Sequence, residues 1–162
     1  MTHLKVSIDG SFIDYDKPVY GAVVVQNQDT KQILSYLIKC DTEQLKASRN
    51  VYGEVAAAYV ALHMIDEIYK VDPDLKVTLI HDYEGVKKWA TREWGKDKKK
   101  AKPIALIYMK LLDEKAHLLP LIDFVWQKSH TQISGENSYL NHLADKIAGL
   151  KVKPMFEIES LI

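Results

Sequence analysis

The chain has 162 residues, 47% of them apolar and 27% charged, a size and composition that allow one globular domain with a substantial core. Basic and acidic residues number 22 each, for a formal net charge of zero, which argues against a general charge-driven nucleic-acid binder. No stretch is long enough to cross a membrane, the single cysteine Cys40 excludes an intrachain disulfide, and Met1-Thr2-His3 lead straight into a strand pattern without a secretory apolar region, so a cytoplasmic location is the expectation.

Three strand patterns open the chain, Leu4–Asp9, Val19–Gln26 and Gln32–Lys39, joined by turn-rich links at Gly10-Ser11, Asp16-Lys17-Pro18 and Asn27-Gln28-Asp29-Thr30. The second link is short and predicts an antiparallel hairpin. Val51, Val55, Ala58, Tyr59, Leu62, Ile65 and Tyr69 recur at helical spacing and predict a helix from Val51 to Tyr69, with Asn50 as its N-cap and Asp72-Pro73-Asp74 as its stop. Lys76–His81 reads as a fourth strand, and Asp82-Tyr83-Glu84-Gly85-Val86 starts a short helix. Pro103 opens a helix from Ile104 to about His117, Leu121–Trp126 is a fifth strand, and Asn137–Leu150 a last helix. The order βββαβαααβα predicts an α/β fold with a five-stranded mixed sheet, three strands antiparallel and the later ones parallel, in which the unit Gln32–Asp82 makes a right-handed parallel crossover. Residues 1–150 form the expected domain, and the apolar tail 151–162 is expected to pack on it.

Four acids stand at the ends of these elements. Asp9 ends the run Leu4-Lys5-Val6-Ser7-Ile8, Asp82 ends Val77-Thr78-Leu79-Ile80-His81, Glu54 lies near the start of the long helix, and Asp145 lies on the last one. Taken singly, each has an ordinary explanation: a turn signal, a charge at a helix N-terminus, a solvated helix face. Together they predict a site for hard divalent cations, because buried carboxylates need a cation or a proton to offset their desolvation. The charge distribution adds a local basic patch from Lys96 to Lys102, preceded by Trp89, Arg92 and Trp94.

The order of these motifs resembles type 1 ribonuclease H from about Leu4 to Gly149. Ile8-Asp9-Gly10-Ser11 with Tyr20-Gly21-Ala22 is similar to the family's opening Asp-Gly-Ser and the strand after it. Asn50-Val51-Tyr52-Gly53-Glu54-Val55-Ala56-Ala57 resembles its helix-borne Glu with an Asn four residues earlier, and His81-Asp82-Tyr83 stands where the family has its third acid. Val125-Trp126-Gln127-Lys128-Ser129-His130 is similar to the strand leading to the family's His loop, and Asn141-His142-Leu143-Ala144-Asp145-Lys146-Ile147-Ala148 to its final Asn-x-x-Ala-Asp helix. Three features depart from the family. The interval from His130 to Asp145 is longer than usual, with the extra residues in Thr131–Tyr139; Gly135 does not follow His130 closely; and Glu84 stands where many relatives have Gln.

The resemblance implies a ribonuclease H-like fold with helices on both faces of the sheet. It also implies an endoribonuclease that hydrolyses the RNA strand of RNA–DNA hybrids and leaves 5′-phosphate and 3′-hydroxyl ends. Asp9, Glu54, Asp82 and Asp145 would hold two Mg²⁺ ions, with Mn²⁺ as a substitute, and His130 would relay a proton, with Glu136 in the same loop as assistant or replacement. Gly10, Ser11, Asn50 and Gly53 would meet the minor groove and its 2′-hydroxyls. Trp94, Lys98, Lys99 and Lys100 would hold the DNA strand. The protein is expected to act as a monomer with the hybrid as its partner and no membrane. A non-catalytic hybrid- or RNA-binding module, and a DNA-processing nuclease such as an integrase or resolvase, are the alternatives on the same fold. The full acid set speaks against the first. Asn50, which would lose its role, speaks against the second.

Overall fold

The computed structural model describes residues 2–95, 102–127 and 135–162. The three opening strands are β1 (His3–Ser11), β2 (Val19–Asn27) and β3 (Ile33–Cys40), each pairing antiparallel with the next. A 3₁₀ segment, Glu43–Ser48, leads into α1 (Asn50–Val71), and β4 (Lys76–His81) returns beside β1. Then follow α2 (Gly85–Ala90), α3 (Lys102–Glu114), a 3₁₀ segment at Ala116–Leu121, β5 (Ile122–Trp126), α4 (Glu136–Ala148) and β6 (Phe156–Glu159).

Among the described residues the sheet has six strands, in the order β5-β4-β1-β2-β3-β6. This corrects the expected five. The tail supplies the sixth, with β6 parallel to β3 in the register Tyr36↔Phe156 and Ile38↔Ile158. Phe156 stacks on Tyr36 at 5.1 Å between ring centroids. A second correction concerns the crossover: β3 and β4 run the same way but are not neighbours, because α1 carries the chain over β2 and β1 to the far side of β1.

Two apolar clusters explain the layering. On one face Leu4, Val6 and Ile8 of β1, Val23 and Val25 of β2, and Val77 and Leu79 of β4 meet Val55, Ala58, Leu62 and Ile65 of α1, with Ile104, Tyr108 and Leu111 of α3 in the same cluster. On the other face Ala22, Val24, Leu37 and Ile80 meet Leu140, Ala144, Ile147 and Ala148 of α4. The alternation along β1 and β2 is the period-two pattern of strands covered on both faces.

Element ends differ from the sequence reading in informative ways. Arg49, not Asn50, is the N-cap of α1, and Asn50 is the first helical residue. Arg49 has φ 53°, a conformation uncommon for a side chain with a Cβ. Its guanidinium lies over the Phe12 and Tyr15 rings, and its Nε donates to the Tyr15 hydroxyl at 3.0 Å. The helix opened by Pro103 stops at Glu114, and the segment Ala116–Leu121 containing Pro120 is 3₁₀, so among the described residues two α-helices rather than three stand between β4 and β5.

Candidate metal centre

Register brings the first two acids together. Ser7 of β1 pairs with Ile80 of β4, so Asp9 and Asp82, each two residues further on, occupy equivalent positions on adjacent parallel chains about 5 Å apart. Glu54 has to reach them from the helix layer, and three glycines allow it. Gly10 and Gly21 are cross-strand partners. A Cβ on Gly10 would lie 2.2 Å from the Asn50 carbonyl oxygen and 2.3 Å from the Glu54 nitrogen. A Cβ on Gly21 would lie 2.4 Å from the Gly53 carbonyl oxygen, and Gly53 itself faces the Tyr20 carbonyl. The first turns of α1 therefore rest directly on strand backbone.

The result is a cluster in which Asp9, Glu54 and Asp82 each offer an oxygen within 4.8 Å of the others. Asp9 and Glu54 are 5% and 3% exposed. The Gly10 N–H donates to Asp9 Oδ1 at 2.9 Å, and the Tyr83 N–H donates to Glu54 Oε2 at 2.6 Å. Asp145 approaches from the opposite layer. Ala144, Ile147 and Ala148 anchor α4 on the sheet, and the Asp145 carboxyl, on the exposed side of that helix, comes near enough to Asp9 to help raise its pKa.

Burial above all pushes the Asp9 carboxyl up to about 10, with the nearby Glu54 charge and the Asp145 carboxyl acting in the same direction. Glu54 is pushed up to about 8, chiefly by burial; the Tyr83 N–H opposes the shift and the Asp82 charge adds to it. Such a group holds protons at neutral pH unless a cation replaces them. The donor set is all carboxylate oxygen, which suits Mg²⁺ or Mn²⁺ and not a soft metal.

The other predicted residues fall into distinct positions. Asn50 is exposed and lines a cavity of about 220 Å³ with Val51, Glu54, Asp82 and Tyr83. Gly10, packed against the Asn50 carbonyl, and Ser11 are half-buried, whereas Gly53 is buried against the strands. Trp94 is not a surface platform. It is 6% exposed and packs edge-on against Trp89 and Tyr83, with Lys88 Nζ 5.3 Å from its ring centre. Glu84 pairs with Lys88 at 3.2 Å, one turn along α2. Glu136 does not approach the cluster. It binds Lys5 at 2.9 Å and Lys31 at 3.3 Å, and it sits nine residues before Asp145 on α4, about 13 Å along the helix. His130, Lys98, Lys99 and Lys100 lie outside the described residues.

Sequence reasoning gave Gly21 no role, although a glycine in a buried strand is a signal of close backbone approach. It also overlooked Trp126, whose indole N–H donates to the Asp82 carbonyl at 2.7 Å.

No protein-family model matches the sequence, and no curated protein matches it. Solved structures do. An RNase H1 isolated from compost by a metagenomic approach, LC11-RNase H1, aligns with TM-score 0.63 over 91% of this chain and 93% of its own, at 17% identity. RNase H1 from the halophilic archaeon Halobacterium salinarum aligns with TM-score 0.61 over 89% and 96%, at 16% identity. The PFV RNase H domain gives 0.62 over 93% of each chain, at 19% identity. A structure of LC11-RNase H1 in complex with an RNA/DNA hybrid also aligns, with TM-score 0.57 over 88% of this chain and 91% of that one, at 16% identity. The chain has the ribonuclease H-like fold.

Proposed function

We propose that the chain is a divalent-metal-dependent endoribonuclease that hydrolyses the RNA strand of RNA–DNA hybrids, acting as a cytoplasmic monomer. The observation that carries this reading is the convergence of Asp9, Glu54 and Asp82, with Asp145 against Asp9, at one end of a ribonuclease H-like sheet. The complex of LC11-RNase H1 with an RNA/DNA hybrid supports the substrate class.

In this reading the four carboxylates hold two Mg²⁺ ions, with Mn²⁺ able to replace them. When bound, the ions lower the pKa of the attacking water and stabilise charge on the scissile phosphate and the leaving oxygen. Water attacks phosphorus, the bond to the 3′-oxygen breaks, and that oxygen leaves with a proton, giving 3′-hydroxyl and 5′-phosphate ends. Asp9 and Glu54 would hold the cations in their deprotonated form, and one oxygen of each is fixed by a backbone N–H, from Gly10 at 2.9 Å and from Tyr83 at 2.6 Å. His130 relays protons at the leaving group. Asn50, exposed at the cavity rim, both donates and accepts and reads the 2′-hydroxyl, together with Gly10 and Ser11. Lys98, Lys99 and Lys100 contact DNA phosphates, which makes binding salt-sensitive.

The test is cleavage of an end-labelled hybrid by purified protein in Mg²⁺ or Mn²⁺, beside single-stranded RNA and duplex DNA. The expected result is cleavage of the RNA strand of the hybrid alone, lost in Asp9→Asn. Metal-independent cleavage, or full activity in Asp9→Asn, would sink the carboxylate mechanism. Tight hybrid binding without turnover would favour a binding module.

A further inference from the structure

Of the three tryptophans, Trp89 and Trp94 are buried, while Trp126, the last residue of β5, is 54% exposed. An exposed aromatic ring alone needs no explanation. What sets Trp126 apart is the peptide it grips. It lies opposite His81 in the β4–β5 register, and its Nε1–H donates to the backbone carbonyl of Asp82 at 2.7 Å. The nitrogen of that same peptide group belongs to Tyr83, and its N–H donates to Glu54 Oε2 at 2.6 Å.

One planar unit is therefore held at both ends. Because the peptide is rigid, orienting its carbonyl also orients its N–H. A hydrogen bond to the carbonyl further polarises the N–H, so the two bonds reinforce each other. Asp82, whose carbonyl is gripped, is itself one of the three clustered carboxylates. We infer that Trp126 is a positioning residue that holds Glu54 and Asp82 in the geometry a divalent cation needs, acting through the Asp82–Tyr83 peptide. The inference rests on the metal-binding part of the proposed function and does not depend on hybrid specificity.

The experiment replaces Trp126 with its benzothiophene isostere, which keeps ring size and loses the N–H donor; Trp126→Phe serves as a second variant. Three quantities are measured: the Tyr83 amide-proton chemical shift of the metal-free protein, Mn²⁺ affinity by calorimetry, and kcat and KM on a hybrid. Removing a group that orients metal ligands should lower Mn²⁺ affinity about 10-fold. The Tyr83 amide proton should move upfield, kcat at limiting metal should fall, and KM for the hybrid should stay within about twofold. The half-exposed ring makes loss of folding an unexpected outcome, and thermal unfolding of the metal-free variants, near wild type, excludes a general loosening. Mn²⁺ affinity within about twofold of wild type in both variants would overturn the inference, whatever the shift or the rate does. If wild type binds Mn²⁺ but cleaves no hybrid, the nuclease reading falls while the positioning role is still decided by the variants' Mn²⁺ affinity. If wild type binds no Mn²⁺, both fall.

Discussion

Asp9 carries the largest electrostatic strain among the described acids, and that strain makes a prediction opposite to the usual effect of removing a buried hydrogen-bonding residue. Its carboxyl is raised from 3.8 to about 10, above all by burial. The folded state thus holds a proton that the unfolded state releases above about pH 4, and metal-free stability declines as pH rises from there toward 10. Asparagine at this position has no such charge, yet its amide oxygen can still accept from Gly10. Metal-free Asp9→Asn should therefore be more stable than wild type at pH 7, by about 1 kcal/mol or more, with the gap widening as pH rises. Urea unfolding in chelator at several pH values measures it. Equal stability at all pH values would mean that Asp9 is not desolvated as the structure has it.

At the scale of elements, α1 works because glycine removes the Cβ atoms that would hold it off the sheet. Ala at Gly10 would place a methyl 2.2 Å from the Asn50 carbonyl oxygen and 2.3 Å from the Glu54 nitrogen, both backbone atoms. The helix must lift, and Glu54 lifts with it. Gly10→Ala should destabilise the fold by about 1–3 kcal/mol and abolish metal binding, whereas Gly95→Ala, with nothing within 4 Å, should leave metal binding unchanged. Calorimetric Mn²⁺ titration of the two variants compares them. The tail is the other element with consequences. β6 covers the outer edge of β3, Phe156 stacks on Tyr36, and the Tyr52 hydroxyl at the start of α1 donates to the Ile162 carbonyl at 3.0 Å. Deleting 154–162 exposes the β3 edge, and unpaired edges associate. Light scattering should find the truncated chain more strongly self-associated than the full chain.

These two elements also mark what a sequence can reveal. Asp9, Glu54 and Asp82 were legible because each follows or opens a strongly patterned element, and strand register does the rest. β6 was not, since Phe156-Glu157-Ile158-Glu159 is four residues long and gains its stability from Tyr36 and Ile38, over a hundred positions away. Trp94 was misplaced for a related reason: a tryptophan next to a basic run looks like a binding surface until Trp89 and Tyr83 are seen to enclose it. The neighbour of β4 likewise depends on how many strands α1 crosses, which helical periodicity does not encode.

At the scale of the whole molecule, two titrating sites among the described residues act on stability with opposite sign. Asp66 on α1 binds Lys115 at 2.6 Å and His117 at 2.8 Å, both just beyond the end of α3. These hydrogen bonds hold its carboxyl down at about 2. Its contribution is complete above pH 4 and is lost as pH falls through 2. The carboxylate cluster acts the other way, favouring the fold at low pH and opposing it as pH rises from about 4, as its raised pKa values require. Without metal, stability should therefore peak on the acid side of neutrality. A divalent cation binds the deprotonated cluster and should remove the alkaline decline, adding about 2.7 kcal/mol at a hundredfold excess over Kd. The peak then moves toward neutral pH or above, and binding releases protons because Asp9 and Glu54 must ionise. Thermal unfolding with and without Mn²⁺ across pH 4–9, together with calorimetry in buffers of different ionisation enthalpy, measures both effects. In Asp9→Asn the metal-free alkaline decline should be smaller, and added Mn²⁺ should shift the profile little. A wild-type profile that does not change with Mn²⁺ would contradict a metal site at this cluster, even though the fold itself stood.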